Sequence, residues 1–434
     1  MVQTKYGKLE GIDRGWYTEY LGVPYAKAPV GERRWKTPEE PDVYEGVYEA
    51  KAFATKSVQR EGSTPPWDKD FYDDPNFIPA VSEDCLYLNI WAPKNAENCP
   101  VAFWIHGGAF MGGNCSEKEF SGIEYARRGV VFVSIQYRLG LFGFLAHPWL
   151  TEEAGVSGNY GILDQIAALK WVYENIAAFG GDPSRITVFG QSAGAMSTQT
   201  LITSPLTGNM IARAILQSGG SYGEGLHRDM PMSEQESYGE IFTEILGVKN
   251  LAELRAKTTE EINAAQGPFM EKVFPMAKGL FLIPVIDGKV LTEGYYDAID
   301  HGTIKNIPYM LGSTKDDIMV TPEMKTPEDH PLHRGSIAFS HKLEELGWDP
   351  AYVYYFSRNL PGDEQGAWHS AELWYMFGTQ NRCWRPWEAK DYVLSANMLD
   401  YWTNFMKSGN PNGEGLAEWK VCSGEEAAYM EFDA

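Results

Sequence analysis

Basic residues are in short supply: 37 Lys and Arg stand against 59 Asp and Glu, a net charge of −22 over 434 residues. A surface of that sign repels phosphate backbones and anionic headgroups, which argues against nucleic-acid binding and electrostatic membrane binding. Cysteine is sparse too, and five in a chain of this length do not make a disulfide framework. No run of about 18 apolar residues occurs to supply a membrane-spanning helix. The opening Met1-Val2-Gln3-Thr4-Lys5-Tyr6-Gly7 lacks the apolar centre of a signal peptide. Together these absences predict a reduced, cytoplasmic protein. Linkers rich in Pro, Gly or Ser, internal repeats, zinc-ligand spacings, a Walker loop and a dinucleotide fingerprint are also missing. The expectation is one domain over 1–434, with no metal and no cofactor.

What is present suits a large buried core: 44% of the residues are apolar and 13% aromatic. Apolar runs at 101–105, 130–135, 186–189, 211–217, 308–312 and 352–356 read as mostly parallel buried strands. Between the second and third, Ile162, Ile166, Leu169, Val172, Tyr173 and Ile176 recur at helical spacing, with Gly180-Gly181 and Pro183 ending the helix. Leu394, Met398, Leu399, Trp402 and Phe405 repeat that pattern near the end of the chain. Strands alternating with helices predict an α/β fold with a doubly wound sheet, whose reactive loops gather at the carboxyl ends of the strands. Residues 223–285 read as a less regular helical excursion, a small cap.

Two glycine-rich segments fall at such strand ends. Gly190-Gln191-Ser192-Ala193-Gly194 follows Ile186-Thr187-Val188-Phe189 and opens a helical run. A serine between small neighbours at a strand-to-helix turn is the geometry of a nucleophile elbow. His106-Gly107-Gly108-Ala109-Phe110 follows Val101-Ala102-Phe103-Trp104-Ile105, and a loop of that kind can turn backbone N–H groups toward one point to hold an oxyanion. Either segment alone fits an ordinary glycine turn. Both, in this order, point to acyl transfer by a serine.

From here the chain resembles the type-B carboxylesterase (cholinesterase-like) family of the α/β-hydrolase fold. The likeness is carried by Val23-Pro24-Tyr25-Ala26, Ser82-Glu83-Asp84-Cys85-Leu86-Tyr87-Leu88-Asn89-Ile90 and the 104–110 segment. It continues through Gln136-Tyr137-Arg138-Leu139-Gly140, Gly158-Asn159-Tyr160-Gly161-Ile162-Leu163-Asp164-Gln165, the elbow, and Gly409-Asn410-Pro411-Asn412. The resemblance implies a serine carboxylesterase acting on a small-molecule ester through an acyl-enzyme. Ser192 is the implied nucleophile, and backbone amides of Gly108, Ala109 and Ala193 form the implied oxyanion hole. A serine hydroxyl needs a base, and the base needs an orienting acid.

Among His227, His301, His330, His333, His341 and His369, the loop Gly366-Ala367-Trp368-His369-Ser370-Ala371-Glu372 resembles the family's catalytic-histidine loop, which selects His369. His330, His333 and His341 lie on a polar stretch and read as loop histidines with no task, while His106 fits a structural position beside the oxyanion loop. For the acid, Asp316-Asp317-Ile318 stands where relatives have Asp-Glu-Gly; Asp317 takes the glutamate's position and Asp316 is the alternative.

Several departures bear on specificity. Gln191 replaces a glutamate common beside the nucleophile, Glu372 keeps its family position, and Gly220 is read as replacing a buried serine. An ungapped count puts Pro75 where choline esterases seat a quaternary ammonium on tryptophan, which argues against choline esters. Trp67, Phe71, Tyr72, Phe77, Trp368, Trp374 and Trp387 are candidates for an apolar or aromatic pocket. Glu83 and Arg138 are expected to form a buried ion pair. Secreted relatives pair the cysteine matching Cys85 with an upstream one, and residues 1–84 contain none. The preferred substrates implied are neutral short-chain or aromatic esters. Feruloyl-type esters are the close alternative, and a non-catalytic binding module is the rival outside enzymology. Oligomeric state is left open by the sequence.

Overall fold

Alternating apolar strands and amphipathic helices build one dominant sheet. The computed structural model describes residues 1–59, 62, 66–424 and 427–433. Its central sheet has ten strands: β1 Ile12–Asp13, β2 Tyr17–Pro24, β3 Tyr87–Pro93, β4 Cys99–Ile105, β5 Val131–Ile135, β6 Gly181–Gln191, β7 Arg213–Gln217, β8 Tyr309–Thr314, β9 Tyr352–Phe356 and β10 Met430–Phe432. Their spatial order is β10-β9-β8-β7-β6-β4-β5-β3-β2-β1. Neighbours from β4 to β10 are parallel, and β1 to β3 add an antiparallel edge. Each apolar run expected as a strand is one. A small sheet of Val2–Thr4, Gly7–Glu10 and Val47–Glu49 lies at the amino end.

Successive side chains on a strand point to opposite faces, so a sheet covered on both sides is apolar throughout. Val101, Phe103 and Ile105 of β4 pack into one core with Ile162, Leu169, Val172 and Ile176. Ala102 and Trp104 pack into the other, with Met398, Leu399, Trp402 and Phe405. The first set of helical residues lies on α1 (Tyr160–Asn175) and its short 3₁₀ continuation. The elbow helix is α2, Ala193–Thr203. The 223–285 stretch holds α3 (Met232–Leu246), α4 (Leu251–Arg255) and α5 (Thr259–Val273). Later come α6 (Pro331–Glu345) and α7 (Ala389–Ser408). Tyr173, expected on the buried stripe of α1, is 41% exposed, and Ala168 and Trp171 are buried in its place. Helix α1 lies between two layers, so its buried arc is wider than a single stripe. No helix among the described residues is long and apolar enough to cross a membrane.

Two expectations are corrected. Glu83 and Arg138 do not pair. Arg138 Nε and an Nη donate to the two oxygens of Asp164, each at 2.7 Å, and its backbone N–H donates to Asp164 at 3.0 Å. Glu83 instead takes Arg34, at 2.5 and 2.7 Å. The loop after β5 turns Arg138 onto the first turns of α1, where Asp164 sits, whereas Glu83 precedes β3 and faces the chain around Arg34. The second correction concerns the histidines. His333 and His341 lie on α6 and His330 caps its start, so none of the three is in an open loop, and His330 and His333 are buried, with Tyr355 Oη bonding His330 Nδ1 at 3.0 Å. Gly220 itself carries no hydroxyl, and Ser218, two residues earlier, donates to Asp317 at 2.6 Å.

Asp164 is fully buried, so removing its partner leaves a charge with no compensation. Arg138→Met is expected to lower unfolding free energy by about 3–5 kcal/mol in a denaturant titration. Arg128→Met, whose partner Asp400 is half exposed, should cost less than about 1 kcal/mol.

Candidate active site

The elbow is forced by close approach of backbone. Ser192 adopts φ 57°, ψ −125°, between β6 and α2. A Cβ on Gly190 would lie 2.4 Å from the Gly194 carbonyl, and one on Gly194 would lie 2.1 Å from Ile105 O. Only glycine fits at either position, and the tight turn holds the serine side chain out at the carboxyl edge of the sheet. Ser192 N–H donates to Gln217 O at 2.8 Å, tying the turn to the neighbouring strand.

His369 lies on the loop after β9. Its Nδ1 meets Asp317 Oδ1 at 2.5 Å, and both residues are buried. Asp317 follows β8 and is heavily solvated by the protein: Ser218 Oγ donates to Oδ2 at 2.6 Å and Thr314 N–H at 3.0 Å, while Ile318 N–H donates to Oδ1 at 2.7 Å. Burial pushes the Asp317 carboxyl up, but the His369 imidazole and the bonds from His369, Ser218 and Thr314 outweigh it and hold the group below its ordinary value. An ionised Asp317 fixes the imidazole with its proton on Nδ1, which leaves Nε2 as the acceptor nitrogen. Asp316 points elsewhere: its Oδ2 accepts from Ala367 N–H at 2.7 Å, and its side chain is 42% exposed.

Gln191 lies against the same imidazole. Its Nε2 is 3.2 Å from His369 Nε2, and its Oε1 accepts from Ser370 Oγ at 3.0 Å. Glu372 is buried, with Oε1 accepting from Gln217 Nε2 at 3.2 Å. Burial, reinforced by the nearby Asp317 charge, raises its carboxyl to about 7. Ser218 went unrecognised in the sequence, although it immediately follows β7, the strand beside the elbow strand, where reactive loops gather.

The glycine-rich loop after β4 is equally constrained. Gly108 has φ 104°, and a Cβ there would lie 2.2 Å from Gly112 O. Ala109 has φ 55°. Gln59 clamps the loop by donating to Gly113 O and accepting from Gly113 N–H, both at 2.9 Å. Gly108 and Ala109 border the same cavity as Ser192 and His369. Ala193 begins α2, where the first amides have no carbonyl partner within the helix. His106 sits behind the loop, stacked on Tyr137 at 4.6 Å, and burial lowers its imidazole to about 4. It is a neutral packing residue.

These groups open on a cavity of about 720 Å³. Of the aromatic candidates, Trp67, Phe71 and Tyr72 line it. Trp368 and Trp374 back them from the core, Phe77 packs on Phe53, and Trp387 packs on Tyr375. Gln266 of α5 and Ile318 border the same space. So do Lys56, Glu117 and Glu119, none of which sequence patterning singled out. The Glu-Lys-Glu alternation resembles a solvated surface run, and only its closeness to the glycine-rich loop hinted otherwise.

A hydroxyl and an imidazole bordering one cavity, with a carboxylate on the imidazole, are the groups that attack an ester carbonyl, and a positive-φ loop beside a helix start can hold the resulting oxyanion. Residues 1–346 and 328–434 match the model of the carboxylesterase family. The chain is 34% identical to para-nitrobenzyl esterase of Bacillus subtilis (strain 168), covering all of this chain and 95% of that one. It is 39% identical to fumonisin B1 esterase of Sphingopyxis macrogoltabida over 72% of this chain and 55% of that one. Among solved structures, a PNB esterase superposes with TM-score 0.85 at 32% identity, covering 100% of this chain and 95% of the other.

Proposed function

The chain belongs to the carboxylesterase family and is a carboxylic ester hydrolase of the α/β-hydrolase fold, and from that premise we propose the residues that carry the reaction and the esters they act on. Ser192 attacks the ester carbonyl while His369 Nε2 takes its proton. The alkoxide of the tetrahedral intermediate is held by the N–H groups of Gly108, Ala109 and Ala193. His369 then protonates the leaving alcohol, water attacks the acyl-enzyme, and the acid is released. Asp317 orients the imidazole and stabilises its cationic form. The single observation carrying this reading is the 2.5 Å contact between His369 and Asp317 on the cavity that Ser192 borders. No step calls for a metal or cofactor. The chain acts as one unit over 1–434, with 223–285 as a cap; in support, Gln266 from that segment reaches the cavity. All five cysteines are free thiols, which favours a reducing, cytoplasmic setting.

The preferred substrates are neutral esters of short-chain or aromatic character. Trp67 and Phe71 give the cavity an aromatic wall, and the activity named for the Bacillus subtilis relative, para-nitrobenzyl esterase, points the same way. That wall also favours feruloyl-type esters as the second reading. Gln191 puts no charge beside the nucleophile, so Coulomb attraction to a cationic alcohol is weak and apolar burial, at about 25 cal/mol per Å², dominates affinity. Matched butyryl esters, one of choline and one of a neutral alcohol of similar leaving-group pKa, test this. The neutral ester should lead by at least about tenfold in kcat/KM, a gap of ~1.4 kcal/mol. Equal or better turnover of the choline ester overturns the preference.

A further inference from the structure

Gln191, the last residue of β6, carries a side chain that the hydrolytic steps above leave without a task. It is 3% exposed and borders the cavity beside Ser192. The residue is wedged against the oxyanion loop, since a Cβ on Gly107 would lie 2.7 Å from Gln191 O and 3.4 Å from its Oε1. On its other side it meets the histidine loop twice. Oε1 accepts from Ser370 Oγ at 3.0 Å, and Nε2 lies 3.2 Å from His369 Nε2 and 3.4 Å from Nδ1. One amide therefore spans the elbow, the oxyanion loop and the loop that carries the base.

The two contacts have a defined sense. His369 Nδ1 gives its proton to Asp317, so the ring receives the amide N–H at Nε2. With the amide nitrogen turned to the ring, Oε1 is left for the Ser370 hydroxyl, which donates to it. Ser370 needs such an anchor. Its φ is 83°, a left-handed conformation that a residue with a side chain keeps only where its surroundings hold it. That strain sits immediately after the base, so releasing the Ser370 hydroxyl lets the imidazole drift from the nucleophile.

The amide also sets the charge beside the ring. An N–H donated to Nε2 favours the neutral imidazole, the form that takes the Ser192 proton. A carboxylate of the same shape would favour the imidazolium, and an opposite charge within ~4–6 Å moves a titration by about 1–3 units. The other ionisable groups facing the ring come from fixed positions. They are Asp317 on the loop after β8, Glu372 three residues along the ring's own loop, and Tyr354 of β9 beside both carboxyls. Lys56, Asp68, Glu117 and Glu119 border the same cavity. We propose that Gln191 is a positioning residue of the ester hydrolysis. It anchors the His369 loop through Ser370 and, as an uncharged donor at Nε2, keeps the imidazole available as a base at lower pH than a carboxylate in its place would allow. The proposal rests on the assignment of Ser192, His369 and Asp317 above.

The test follows kcat and KM for p-nitrophenyl acetate across about pH 5–9, with active sites counted by fluorophosphonate labelling of Ser192. Gln191→Glu, the isosteric change, should move the acid limb of kcat/KM upward by at least about one pH unit. Its alkaline plateau should stay within about threefold of wild type, because a carboxylate still accepts from Ser370. Gln191→Met fills the space with no donor or acceptor, and should lower plateau kcat at least about tenfold with KM within about threefold. Ser370→Ala removes the anchor without altering charge, and should lower the plateau without moving the limb. An acid limb in Gln191→Glu within about 0.3 unit of wild type overturns the proposal. So does a wild-type kcat, or a loss carried by KM alone, in labelled Gln191→Met protein. Should the methionine variant fail to fold, an unchanged plateau in Ser370→Ala overturns the anchor in its place. Absence of labelling in the wild-type protein overturns instead the catalytic assignment beneath the proposal.

Discussion

Ser192→Ala is expected to reduce ester turnover by about 10⁴–10⁶-fold, since the rate lost is that of the acyl-enzyme route and what survives comes from binding and the oxyanion donors. The fold should be unaffected. Alanine keeps the backbone of the turn, whose shape is imposed by Gly190 and Gly194 and by the Ser192 N–H bond to Gln217, none of which involves the serine hydroxyl. Thermal unfolding of the variant should therefore match wild type, and a fluorophosphonate should label the wild-type protein once and the variant not at all. Stoichiometric labelling of the variant at a different serine would falsify the assignment.

Asp317→Asn should lower kcat by about 10³–10⁴-fold, the scale seen when an orienting carboxylate is made neutral. Two physical effects combine. An amide turned toward His369 Nδ1 favours the tautomer that leaves Nε2 protonated and unable to act as a base. The imidazolium that forms in the transition state also loses the charge that stabilises it. Asp316→Asn should change kcat less than about tenfold, because its side chain accepts from Ala367 N–H, pairs with Lys315 and is partly exposed. Single-turnover rates for the two variants on one activated ester decide between them. A reversal, with Asp316 the sensitive position, would place the orienting group one residue earlier.

Much of this protein was legible before any coordinate, and the legible parts share a cause. Val101 to Ile105 and Ile186 to Phe189 are strands because continuous apolar runs of that length fit a sheet covered on both faces. Gly190 and Gly194 mark an elbow because their neighbours' backbones approach too closely for a side chain. The strand runs are local in sequence, and the elbow is legible from the spacing of its glycines around Ser192 although the backbone that Gly194 meets is that of Ile105 on another strand. Assigning His369 from six downstream histidines drew on the loop around it rather than on any property of the imidazole.

What tertiary structure decided was which distant groups meet. The stretch Asp316-Asp317 offers two identical side chains, and only the turn after β8 directs one to His369 and the other to the Ala367 amide. Arg138 could face Glu83 or Asp164, and the path of α1 under the loop selects Asp164. Ser218 reaches Asp317 because β7 and β8 are adjacent and in register. Glu117 and Glu119 carried no signal in the sequence, and only the loop after β4 folds them inward, Glu117 onto Tyr72. In each case the sequence determined a side chain's chemistry, while its partner was set by long-range packing of strands and helices, which leaves no local pattern because the residues involved lie 26 to 99 positions apart.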